Sequence, residues 1–199
     1  MTSFARALLT GPNLITLSRL MALMLVVVAY AFDAVGLALI LGAVAGATDN
    51  LDGWWARKSG QVSRLGEILD QFCDVSLELI LLVVAVGARR LPLVILVPYV
   101  LREIWVISLR RYAIELGQNI PSRFSGKLKT GFLGWSFIPL FANQLPWLAG
   151  PSWSRLGHGL LLLGQGGICF GIFMSLWSAT SYTKDFARIF ERANVGRKP

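Results

Sequence analysis

Hydrophobic and polar positions along this chain segregate on the scale of whole helices rather than of single turns. Apolar stretches run at about 14–32, 34–48, 65–88, 91–109, 130–149 and 156–183, each able to form most or all of a membrane span of roughly 20 residues. The pattern predicts an all-α, polytopic membrane protein, a bundle of six transmembrane helices. A polar segment, Thr48 to Arg64, separates the second stretch from the third, which begins with acidic residues on one face and becomes purely apolar only over Leu79 to Val86. No repeat, low-complexity tract or long linker divides the chain, so 1–199 reads as a single membrane domain. Its ends are an N-terminal juxtamembrane segment, 1–13, and a basic tail, 184–199, in which Phe186, Ile189 and Phe190 are placed to hold a short interfacial helix. Met1 to Gly11 lacks the charged, apolar, small-residue order of a cleaved signal peptide and is expected to be retained.

Composition sharpens this picture. Of 199 residues, 55% are hydrophobic and 15% charged, where a soluble domain carries about a quarter charged residues. That balance excludes a large soluble catalytic domain, a disordered chain and a secreted disulfide scaffold; Cys73 and Cys169 lie in apolar runs and read as packing residues. The net charge of +8 points to an anionic partner, which in a membrane protein means lipid head groups or phosphorylated substrates before nucleic acid. With a cytoplasmic N-terminus, Arg57, Arg64, Arg110, Lys127, Lys129 and the basic tail fall on the cytoplasmic side, and only Arg89, Arg90 and Arg155 fall opposite. The positive-inside rule therefore places both termini in the cytoplasm and the chain in the inner, cytoplasmic membrane.

The chemistry concentrates in Asp49-Asn-Leu-Asp52-Gly53-Trp-Trp-Ala56-Arg57, followed by Gly66, Asp70 and Asp74. Asp49 and Asp52 share a helix face, as do Asp70 and Asp74, so two adjacent helices can aim four carboxylates at one point. Such a cluster beside a membrane core repels itself unless cations compensate it, and hard oxygen donors favour Mg²⁺, Mn²⁺ or Ca²⁺ over Zn²⁺. Mg²⁺ usually shares its coordination with substrate phosphates, which points to a pyrophosphate-containing substrate. Gly53 lets a ligand approach the backbone, Arg57 one turn on can grip a phosphate, and Gly66 permits close helix packing. The competing reading has the aspartates capping helices and pairing with Arg57, Lys58 and Arg64, but capping needs one carboxylate per helix end, not two pairs in register.

These residues resemble the signature of the CDP-alcohol phosphotransferase family, Asp-x2-Asp-Gly-x2-Ala-Arg-x8-Gly-x3-Asp-x3-Asp, with all eight fixed identities present. Pro12-Asn13-Leu14-Ile15-Thr16 and Arg19 resemble the segment that precedes the first helix of these proteins. The resemblance implies a homodimeric membrane enzyme that binds two metal ions, Mg²⁺ with Mn²⁺ as the alternative, and transfers a phosphatidyl or related group from a CDP-linked donor to an alcohol, releasing CMP. It implies Asp49, Asp52, Asp70 and Asp74 as metal ligands, with Asp74 also the base that takes the acceptor's proton. Gly53, Arg57, Ser63, Asn13 and Thr16 are implied as contacts to the donor, CDP-diacylglycerol.

A second, basic pattern bears on the acceptor. Arg102 and Arg110 lie eight residues apart, about two helical turns, and Lys127 and Lys129 open the fifth span on the same side. Together they could bind an anionic acceptor such as a phosphomonoester. The Arg102-Glu103-Ile104 helix and Gly126-Lys127-Leu128-Lys129-Thr130 are similar to the segments of those family members that use glycerol 3-phosphate, which implies that acceptor. Members that form cardiolipin or phosphatidylinositol phosphate share the donor motif and stay as alternatives. For Arg102, simple pairing with Glu103 or Glu78 is the structural alternative. A cation-coupled transporter would need acids matched in two related halves, and the four motif acids lie in one half. Glu67 reads as a supporting acid or a helix N-terminal charge, His158 as structural, the tryptophans as interfacial anchors, and Gly164, Gly166, Gly167 and Gly171 as a close-packing seam or a groove for lipid.

Overall fold

The computed structural model describes residues 10–59, 64–118, 120, 124–148, 150 and 153–195. Among them the chain forms α-helices only, with two short 3-10 turns and no strand: α1 (Gly11–Ala31), α2 (Val35–Ser59), α3 (Arg64–Gly87), α4 (Leu96–Glu115), α5 (Phe124–Ala142) and α6 (Ser154–Val195). Each of the six apolar stretches contains a helix. The boundaries differ where polar residues are also helical: α2 continues from its apolar half through Asp49 to Arg57, the first part of the aspartate motif, and α5 begins at Phe124, ahead of its apolar run. The expected short interfacial helix is instead the end of α6, which runs unbroken for 42 residues, about 63 Å at the helical rise. Phe186 and Ile189 explain the continuity, because they pack on Val106, Ala113, Ile120 and Tyr182 and so bind the extension to α4.

Short turns set the antiparallel order. Pro12 starts α1 with a pre-set φ, and α1, α3 and α4 each close with a six-to-one bond, Ala34 N–H to Ala29 O, Arg90 N–H to Ala85 O and Gln118 N–H to Ala113 O. The residue that turns the chain is left-handed in each case: Asp33, Arg89 and Gly117, of which glycine alone adopts that φ without steric cost.

The tightest contact is α5 against α6. A Cβ on Gly164 would lie 2.6 Å from the Leu140 backbone nitrogen, and one on Gly167 would collide with Ser136 Oγ, so glycine lets the two backbones touch. Replacing Gly164 by alanine is expected to force the helices apart and cost about 1–3 kcal/mol, the usual range for overpacking, read as a lower unfolding midpoint of the purified protein. The main core gathers Leu82, Ala85, Tyr99, Leu133, Phe137, Leu140 and Ile168 from α3, α4, α5 and α6. Outward faces are apolar too: Met21, Met24 and Leu25 on α1 and Leu163, Phe173 and Trp177 on α6 are exposed. By length and apolarity two described helices can cross a membrane, Asn13–Ala31 and Ser154–Ala193, with Val35–Thr48 apolar but shorter. The remaining described helices carry charges within their spans, among them Asp70, Asp74 and Glu78 on α3 and Arg102, Glu103 and Arg110 on α4.

Candidate active site

Helix α1 positions one half of the site. Asn13, Thr16 and Arg19, each three residues on from the last, form one buried face of α1, and that helix packs along α3. Cys73 Sγ donates to the Thr16 carbonyl at 3.4 Å, tying the two helices at the level of the aspartates. The Arg19 side chain has no exposure, and its Nη1 donates to Asp74 Oδ1 at 3.2 Å and lies 3.6 Å from Asp70 Oδ1. Asp70 and Asp74, one turn apart on α3, remain 50% and 41% exposed on their side chains. A buried cation thus fixes two carboxylates whose outer faces stay open. Arg19 carries this geometry although the sequence singled it out only as part of the segment before the first helix; its spacing from Asn13 and Thr16 was the available signal.

Ser63 lies outside the described residues, as do the side chains of Asp49, Asp52, Gly53, Arg57 and Lys127; the backbone of 49–57 belongs to α2. Among the described residues no three His, Cys, Asp or Glu side chains converge as metal ligands. The donors present, Asp70 and Asp74, fit a hard divalent cation: they are oxygen-only, share one face and are half open.

One turn beyond Asp74 the same face buries Glu78, and around it sits a four-charge cluster. Lys129 Nζ of α5 lies 2.6 Å from Glu78 Oε2 and 2.7 Å from Glu103 Oε1. Arg102 Nη1 donates to Glu103 Oε1 at 2.6 Å, while its Nε and Nη2 reach the Ser175 carbonyl and Ser178 Oγ of α6 at 3.1 and 2.6 Å. Tyr99 OH donates to Glu78 Oε2 at 2.5 Å. Two cations and two anions, all nearly buried, close a neutral network across α3, α4, α5 and α6. Arg102 and Lys129, read from sequence as acceptor contacts, are therefore each engaged by a glutamate, Arg102 by Glu103 as its pairing alternative had it. Arg110, two turns along α4, sits elsewhere: its Nη2 donates to Tyr182 OH at 3.1 Å, and its guanidinium lies 4.9 Å from the Tyr182 ring centre.

Between α1, α2, α3 and α5 lies a cavity of about 630 Å³. Asp74, Glu78 and Thr130 line one end and Tyr30, Val84 and Phe141 the other, with an almost wholly apolar wall between. The arrangement joins a carboxylate site for a charged group to a slot for an apolar one. The family model for CDP-alcohol phosphatidyltransferases matches residues 9–177, from just before α1 to partway along α6. The chain belongs to the CDP-alcohol phosphatidyltransferase family. It is an enzyme of that class. Proteins named CDP-diacylglycerol--glycerol-3-phosphate 3-phosphatidyltransferase are similar to it: one from Treponema pallidum is 30% identical over 148 residues, 73% of this chain and 67% of that protein. One from Pseudomonas fluorescens is 32% identical over 185 residues, 87% of this chain and 88% of that protein. A fission-yeast fusion protein named for cardiolipin synthase and a mitochondrial hydrolase is 31% identical over 115 residues, 58% of this chain and 19% of that protein. In this member of the family Asp74, one turn from Asp70, lines the polar end of an otherwise apolar cavity.

Proposed function

We propose that this enzyme transfers the phosphatidyl group of CDP-diacylglycerol to glycerol 3-phosphate, giving phosphatidylglycerophosphate and CMP in phospholipid biosynthesis. The observation that carries this reading is that Asp74, joined to Asp70 through Arg19, lines the apolar cavity, in a chain whose curated relatives bear that activity in their names. Asp49, Asp52, Asp70 and Asp74 would hold two Mg²⁺ ions, which supply charge neutralisation of the pyrophosphate and of departing CMP. Asp74, oriented by Arg19, accepts the proton of the acceptor hydroxyl as its oxygen bonds to the phosphatidyl phosphorus and the bond to CMP breaks. Asn13, Thr16, Gly53, Arg57 and Ser63 bind the nucleotide end of the donor. Glycerol 3-phosphate offers a dianionic phosphate, for which Arg110, two helical turns from Arg102 on α4, and Lys127 are the proposed cations. Arg110→Gln is expected to raise KM for glycerol 3-phosphate at least about ten-fold, the loss of one charge-assisted hydrogen bond, with a smaller change in KM for the donor.

The apolar outward faces and the one-sided positive charge support a six-span protein of the inner membrane with both termini and the site cytoplasmic, and the family supports a homodimer. The test is CMP release by purified protein in detergent with CDP-diacylglycerol and glycerol 3-phosphate, inositol phosphate, phosphatidylglycerol or no acceptor. Release that requires glycerol 3-phosphate and Mg²⁺, and stops with a chelator, supports the reading. Release driven by another alcohol gives the enzyme a different product, and release unaffected by the chelator removes the metal from its chemistry.

A further inference from the structure

The geometry points to a length gauge for one acyl chain of the donor, built where Tyr30 and Phe141 close the end of the cavity remote from Asp74. This inference rests on the phosphatidyl-donor reading above. Along α3 the cavity extends from Asp74 to Val84, ten residues or about 15 Å, half of a roughly 30 Å hydrocarbon core. A chain of one leaflet's length therefore fits when its glycerol end lies at the aspartates. Its methyl end then meets the Tyr30 ring, which is not loose: Tyr30 OH donates to Gln144 Oε1 at 3.1 Å, and Phe141 meets the ring edge-on at 5.4 Å between centres. Gln144 follows the end of α5 and is itself held by a turn hydrogen bond to the Phe141 carbonyl at 3.0 Å. The wall is open where it needs to be, since a Cβ on Gly134 would meet nothing within 4 Å.

Selection at such a stop does not come from removing the chain from water, because a membrane lipid's chain is already in an apolar medium. It comes from packing. A chain too short leaves contacts unmade at the tyrosine, and one too long must bend or displace a ring held from two sides. The lower end of overpacking costs corresponds to about a five-fold loss in kcat/KM for donors beyond the fitting length.

The test is the ratio of kcat/KM for long-chain to short-chain CDP-diacylglycerols, otherwise identical, in full-length protein. Tyr30→Ala removes the stop and is expected to raise that ratio about five-fold or more. Gly134→Leu adds a side chain at a cavity-lining position whose Cβ would meet nothing within 4 Å, and is expected to lower the ratio by a similar factor. Wild-type ratios in the two variants overturn the gauge, and Gly134→Leu decides alone if Tyr30→Ala does not fold. Should the wild type release no CMP from any donor, the functional reading fails separately. The gauge is then read from thermal stabilisation by phosphatidic acids of the same chain lengths: a dependence on length that Gly134→Leu shifts to shorter chains supports it, and an unshifted dependence, or none, overturns it.

Discussion

Asp74→Asn is expected to lower CMP release by a factor of about 10²–10⁴, the range that a positioned general base contributes. The substitution keeps size and a hydrogen-bonding oxygen for Arg19, so helix α3 and its contact with α1 should survive. What disappears is the ability to take the hydroxyl proton and one negative charge from the cluster. The measurement is initial rate of CMP release at saturating donor and acceptor, beside a thermal unfolding curve of the same preparation. A rate within a few-fold of wild type, with an unchanged midpoint, would remove Asp74 from the chemistry.

The largest expected effect on stability lies one turn deeper. Lys129→Met takes the cation from between Glu78 and Glu103 and leaves two buried carboxylates facing one guanidinium, that of Arg102. Breaking a buried pair by removing one partner costs about 3–5 kcal/mol, because the remaining charge stays desolvated. The unfolding midpoint of the detergent-solubilised protein should fall accordingly. Adding Glu78→Gln to Lys129→Met should restore part of the loss, a coupling of about 1–3 kcal/mol, since the second change removes the orphaned charge. Strictly additive losses would mean that Lys129 and Glu78 do not interact in the folded protein.

Much of this architecture was legible in the sequence because its signals are local. Twenty-residue apolar runs need few choices to become helices, and the four-residue spacing of Asp70 and Asp74 fixes their common face wherever α3 packs. The same register continued to Glu78, yet nothing local says whether a glutamate in an apolar run meets a cation, a ligand or water. That depends on α5, which is 51 residues away at Lys129. Arg102 and Lys129 were read as acceptor contacts for the same reason: sequence shows a positive charge in a membrane segment, and only the packing of α4, α5 and α6 shows which acid answers it. Arg19 was legible as a position and not as a role, because its partners come from α3. The length of α6 was hidden by its polar end, where the apolar positions Phe186 and Ile189 are too few to mark a helix until Val106, Ala113 and Tyr182 give them a surface.

Identifying the products of the purified enzyme shows whether the carboxylate site joins a CDP-linked lipid to glycerol 3-phosphate. Isotope-labelled glycerol 3-phosphate, CDP-diacylglycerol and Mg²⁺ should give CMP and labelled phosphatidylglycerophosphate in equal amounts by mass spectrometry, and neither with Asp74→Asn. CMP formed without a labelled lipid would exclude glycerol 3-phosphate as the acceptor, and a labelled lipid formed equally well by the variant would exclude Asp74 as the base.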